Sequence, residues 1–137
     1  MAHRLKRLKL SALLSLFALT ACDPSDSAGQ LSELNDTSWK VVGIPQRVTA
    51  SMSFGTDGRV TGSSGCNRFF GTYETSGQEI KIRNIGGTRK ICPKVEMSVE
   101  RELLESLAIV NRWQGTAEEI ELSGPVNSTT VRLKRAK

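Results

Sequence analysis

The sequence predicts an α+β fold: a curved antiparallel sheet or partly open β-barrel of about eight short strands with one helix packed against it. Three observations carry that prediction. Short segments alternate apolar and polar residues at the two-residue period of a strand. Glycine-rich turns separate them. One later segment changes to the period of an amphipathic helix.

The elements follow in order. Trp39 to Ile44 opens the series and Pro45 ends it. Ala50 to Phe54 and Arg59 to Ser63 flank Gly55-Thr56-Asp57-Gly58, a hairpin signal. Phe69 to Glu74 and Glu79 to Asn84 flank Ser76-Gly77, a second hairpin, after which Gly86-Gly87 is expected to break the chain. From Pro93 to about Ala108, Val99, Leu103, Leu104 and Leu107 recur at helical spacing. Glu96, Glu100, Arg101, Glu102 and Glu105 occupy the other faces, so the stripe should cover the sheet and the charges should face solvent. Strands return at Ile109 to Gln114, Glu119 to Leu122 and Thr129 to Leu133, with Gly124-Pro125-Val126-Asn127 as a turn.

The N-terminus carries an address. Arg4, Lys6, Arg7 and Lys9 precede an apolar run from Leu10 to Ala21, which Asp23-Pro24-Ser25-Asp26 ends. A basic start, a short apolar stretch and small residues before a break make a secretory signal peptide over 1–21. A membrane-spanning helix needs about 20 apolar residues, and this run is shorter. Leu19-Thr20-Ala21-Cys22 resembles the lipobox of bacterial lipoproteins. That resemblance implies cleavage before Cys22, acylation of its thiol and acylation of the new N-terminus, and two or more chains anchor stably where one does not. Residues 22–33, rich in Ser, Asp and Gly, read as a flexible tether, and 34–137 as one folded domain. The expected place is the bacterial cell envelope, lipid-anchored and facing the periplasm. Asp23 resembles an inner-membrane retention signal of enteric bacteria, but Pro24 is not among its usual companions, so both membranes stay open.

Cleavage changes the charge balance. The formal charge is +5, but the leader holds four of the 19 Lys and Arg and none of the 14 Asp and Glu. The mature chain therefore carries 15 basic against 14 acidic groups. Nucleic-acid binding has no support, because it needs a concentrated basic footprint. The Lys134-Arg135-Lys137 tail is a small basic cluster at a solvated terminus.

The most distinctive piece of the mature chain is Gly65-Cys66-Asn67-Arg68-Phe69-Phe70-Gly71-Thr72-Tyr73. Its glycines permit sharp turns, Asn67 suits a turn by bonding local backbone, and Phe69, Phe70 and Tyr73 bring aromatic mass to a core that also has Trp39, Phe54 and Trp113. The segment resembles the signature of the META domain family, also called HslJ-like. The likeness continues in Thr88-Arg89-Lys90-Ile91-Cys92-Pro93, in the opening Asn35-Asp36-Thr37-Ser38-Trp39-Lys40-Val41 and in the Phe54–Val60 hairpin, with Lys90-Ile91 where many relatives carry Met-Ala. It spans about Leu34 to Leu133. The resemblance implies a small mixed domain of envelope lipoproteins, associated with heat induction, novobiocin resistance and motility, with a shape similar to secretin pilot lipoproteins. The family has no established catalytic residues to carry over.

With Cys22 acylated, two thiols remain in an exported domain, and the even count in an oxidising compartment favours a Cys66–Cys92 disulfide. The competing use, a nucleophilic Cys66 or Cys92, needs an activating base, and the only histidine, His3, lies in the leader. Two cysteines without histidine also make an incomplete zinc set, so no metal and no cofactor are expected. Carboxylate chemistry would draw on Asp57, Glu74 and Glu79, whose places near turns suit a surface better. No glycine-rich nucleotide loop is present.

The functional expectation is a non-enzymatic, monomeric envelope lipoprotein that binds another protein or a hydrophobic ligand. Asn67, Arg68, Phe69, Phe70, Arg89 and Lys90 are the candidate contact residues. A pilot-like variant would hold a lipid tail or a secretin peptide between sheet and helix, and a carboxylate hydrolase is the enzymatic alternative.

Overall fold

The computed structural model describes residues 33–125 and 130–137. The expected signal peptide, Cys22, nearly all of the expected tether and the second half of the turn expected at Gly124 to Asn127 lie outside the described residues. Eight strands and a helix follow one another: β1 Thr37–Val42, β2 Ser51–Phe54, β3 Arg59–Ser63, β4 Arg68–Ser76, β5 Glu79–Gly87, α1 Lys94–Ile109, β6 Arg112–Gly115, β7 Glu119–Ser123 and β8 Thr130–Arg135. The sheet is an antiparallel barrel in chain order, closed where β8 returns to β1 with Val41 opposite Leu133. Closure removes the free edges that an open sheet would expose.

Alternation builds the interior. Trp39, Met52, Phe54, Val60, Phe69, Tyr73, Ile80, Ile82, Trp113, Ile120, Leu122, Val131 and Leu133 all point inward and are buried. Both indoles are satisfied there: Trp39 Nε1 donates to Thr37 Oγ1 at 2.7 Å, and Trp113 Nε1 to the Gly77 carbonyl at 2.9 Å. Phe54 and Tyr73 meet edge to face, centroids 4.9 Å apart. Helix α1 buries Val99, Leu103, Ser106 and Leu107 against the barrel, with Leu104 half-buried beside them.

The weakest seam lies between β5 and β6, which share the single register pair Glu79 and Arg112, flanked by Ile80 N–H to the Asn111 carbonyl at 3.1 Å and Trp113 N–H to the Gln78 carbonyl at 2.8 Å. The helix leaves β5 at one end of the barrel and returns the chain to this seam near the other. Two boundaries differ from the sequence reading. Gly86 and Gly87 do not break the chain; they end β5, paired with Phe70 and Phe69. A Cβ on Gly86 would come within 3.0 Å of the Phe70 ring. The helix also runs through Ile109, so β6 starts only at Arg112.

The hydroxyl of Tyr73 sits 2.6 Å from Asn35 Oδ1 and 2.7 Å from the Gly55 carbonyl, tying the chain just before β1 to the β2–β3 turn. Burial, then the Asp57 carboxylate, raise its pKa above the ordinary 10.0. Tyr73→Phe is expected to cost about 1–1.5 kcal/mol in urea unfolding. An unchanged midpoint would show that the hydroxyl makes no net contribution.

Candidate functional site

The segment between β3 and β4 is shaped by its own residues. Gly65 adopts φ +102°, where a side chain is strained, and a Cβ there would lie 2.6 Å from Val48. The turn places Cys66 against Cys92, and the two form a disulfide. Asn67 follows, buried at 4 % exposure, and its amide is fully used. Its Oδ1 accepts from the Lys90 N–H at 2.7 Å and the Thr88 hydroxyl at 2.8 Å. Its Nδ2 donates to Glu100 Oε1 at 3.0 Å and the Lys90 carbonyl at 3.2 Å. One side chain thus joins the β3–β4 turn, the β5–α1 segment and the helix.

Glu100 corrects the sequence reading, which placed it on the solvated face of α1. Helical position explains the difference: it follows Val99 directly and flanks the buried stripe. There its Oε2 accepts from the Asn67 N–H at 2.9 Å and from the Ser64 hydroxyl, and Ser64 is itself fully buried. Burial pushes the Glu100 carboxyl up, but the hydrogen bonds from Ser64 and Asn67 outweigh it and hold the pKa below the ordinary 4.5. A depressed carboxyl contributes stability that is present above its unfolded value and lost as pH falls through its folded value. Glu100→Gln is therefore expected to be less stable at neutral pH, with the gap to wild type closing on acidification below about pH 4.5. Parallel denaturation curves with a constant gap at every pH would contradict this.

The candidate contact residues divide. Arg68, Phe70, Arg89 and Lys90 are exposed. Asn67 and Phe69 are not contact residues: Asn67 is the buried hub, and Phe69 is 2 % exposed in the barrel core. Strand alternation decides the pair, sending Phe69 inward and Phe70 outward at 57 % exposure, so only Phe69 joins the core.

Two grooves flank the helix. One, about 250 Å³, lies between α1 and the end of β5, with Ile85 and Leu104 as apolar wall, Arg68 and Arg89 at its margin, and Glu100 and Asn67 at its base. The other, about 210 Å³, lies between α1 and the β1 and β8 strands, lined by Val41, Ile44, Val99, Leu103, Val131 and Arg132 among others. Arg68, Arg89 and Lys90 have no carboxylate within 4.0 Å among the described residues, where the ion pairs are Arg59–Asp57 and Lys134–Glu119.

Asp57, Glu74 and Glu79 are all exposed and do not converge. Asp57 pairs with Arg59, Glu74 stands opposite Lys81, and Glu79 opposite Ser76. Among the described residues no group of His, Cys, Asp and Glu could hold a metal ion.

Solved structures share this fold. An NMR structure of a protein from Burkholderia xenovorans superposes with a TM-score of 0.67 at 22% identity, covering 96% of this chain and 98% of that one. A crystal structure of a DUF4847 family protein from Bacteroides vulgatus gives 0.57 at 18% identity, over 76% of this chain and 95% of the other. A further NMR structure gives 0.60 at 21% identity, over 74% and 91%. Likenesses at these identities bear on fold alone. A comparison with curated proteins finds no match. The META domain family model, in contrast, matches residues 32–137. That match takes in the whole barrel, the helix and the Asn67 hub between them, and this chain belongs to the META domain family.

Proposed function

We propose that the protein is a non-enzymatic, lipid-anchored component of the bacterial envelope whose META domain binds a protein or a hydrophobic ligand, in the setting of envelope stress, antibiotic tolerance or secretion. The observation that carries the binding role is the groove between α1 and β5, where Ile85 and Leu104 stand beside the cations Arg68 and Arg89, which are unpaired among the described residues. An apolar wall with a few convergent polar groups is the usual form of a binding site. The two thiols weighed as nucleophiles, Cys66 and Cys92, are bonded to each other, and Asn67 and Glu100 are engaged in the hub. Lipobox-like Cys22 supplies the address, at either the inner or the outer membrane.

Two measurements test this. Cys22→Ser should abolish acyl labelling and move the protein out of the membrane fraction; labelling and fractionation like wild type would sink the anchor. A photo-crosslinking residue at Arg68 in intact envelopes should capture the same protein or lipid repeatedly, while one at Glu118, far from the groove, should not. Identical captures at both positions would remove the groove as the site. The apolar groove on the β1–β8 side of α1 favours a second reading, a pilot-like hold on a lipid tail or secretin peptide, and a crosslinker at Arg132 would report it.

A further inference from the structure

We propose that the corner formed by Arg89 to Met97 docks the domain on an anionic lipid bilayer. Ile91 is 98 % exposed, an unusual state for a β-branched aliphatic residue, and Met97 on the first turn of α1 is 38 % exposed. The segment that presents Ile91 is braced on both sides. Before it, Lys90 is held through its N–H and its carbonyl by Asn67, and after it Cys92 is bonded to Cys66. An apolar side chain fixed in solvent loses little further freedom on insertion, which favours binding.

The charged residues of this corner are mainly cationic, three basic groups against Glu96. Arg89, Lys90 and Lys94 are exposed and have no carboxylate within 4.0 Å among the described residues. The acids on the facing part of α1 reduce this excess without cancelling it. Glu100 is engaged by Ser64 and Asn67, and Glu96 is half-buried with Oε2 shielded and, among the described residues, unpartnered. Cations flanking a projecting aliphatic side chain match the boundary between anionic headgroups and acyl chains.

The docking rests on the lipid anchor proposed above, which keeps a bilayer within reach. The chain joins the barrel away from this corner, where Asn35 meets Tyr73; Tyr73 lies opposite Ile82, and β5 runs from there to Gly87 over roughly 17 Å towards the corner. Residues 23–33 extend to at most about 40 Å, enough for the lipid and the corner to share one surface.

The test uses the full processed protein with an environment-sensitive fluorescent residue at position 91. Vesicles containing phosphatidylglycerol should shift the probe to the blue and expose it to quenching by brominated lipid, whereas pure phosphatidylcholine vesicles should not. A probe at Glu118 should stay in water in both. Each of Arg89→Ser, Lys90→Ser and Lys94→Ser should lower the docked-to-undocked ratio about fivefold at low salt. A position 91 that remains in water on anionic vesicles overturns the proposal, as does equal burial at Glu118. So does a photo-crosslinker at 91 that joins a protein rather than phospholipid in intact envelopes. Acyl label on the same sample separates the two ideas: absent label overturns the anchor and the docking with it, while labelled protein with position 91 in water overturns the docking alone.

Discussion

Asn67→Ala is expected to lower the unfolding free energy by about 3–5 kcal/mol, because it removes four hydrogen bonds to N and O atoms at once and leaves part-buried partners behind. The cost is not the loss of a side chain. It is the stranding of the Lys90 N–H and carbonyl, and of a Glu100 carboxylate that loses one of its donors. Urea denaturation of the purified domain measures it, and a cost under about 1 kcal/mol would mean that water replaces the amide without penalty. Asn67→Asp sharpens the reading. It exchanges the Nδ2 donor for an oxygen beside the Glu100 carboxylate and the Lys90 carbonyl, so it should be at least as harmful at neutral pH. Unlike Asn67→Ala, it should recover partly on acidification, as protonation removes the repulsion. The double variant Asn67→Ala with Glu100→Gln should cost less than the two singles added, since both break one network.

The second large effect concerns the disulfide. Replacing Cys66 and Cys92 together by Ala is expected to cost about 3.5 kcal/mol on the chain-entropy account of a loop of 26 residues. Against the typical total of about 5–15 kcal/mol for a domain of this size, that is a large share. The urea midpoint should fall by about 1–3 M. Treating wild type with a dithiol reductant should produce a similar fall, and a reductant without effect would show that the bridge contributes little. A local consequence separates this variant from a general loss of stability. The loop that the bridge closes contains all of β4 and β5, and the bridge also pins the end of the Thr88–Cys92 segment. Amide exchange at Ile91 and Cys92 should therefore accelerate more than exchange at Trp39 or Leu133 in the core.

Much of this architecture was legible in residue order. Every strand of the barrel was anticipated within a few residues, because a strand with one buried face must alternate, and Trp39, Val60, Tyr73 and Leu122 do so without ambiguity. The helix was equally plain from Val99, Leu103 and Leu107. Charge type misled at Glu100 and aromatic character misled at Phe69. The sequence carries no local sign that a glutamate at the margin of an apolar stripe meets an asparagine 33 positions earlier. Nor did the glycines at 86 and 87 announce that they end a strand under the Phe70 ring instead of breaking it.

By itself the sequence determined the α+β class, the helix after β5, the family signature and the Cys66–Cys92 pair. These properties are written in neighbouring residues, through periods of two and 3.6 and through turn chemistry. Closure of the barrel by Val41 opposite Leu133, the Asn67–Glu100 hub, and the choice of which candidate residues face solvent were decided only in three dimensions. The reason is physical: a buried amide or carboxylate takes its role from the partners that desolvation forces on it, and those partners come from distant parts of the chain.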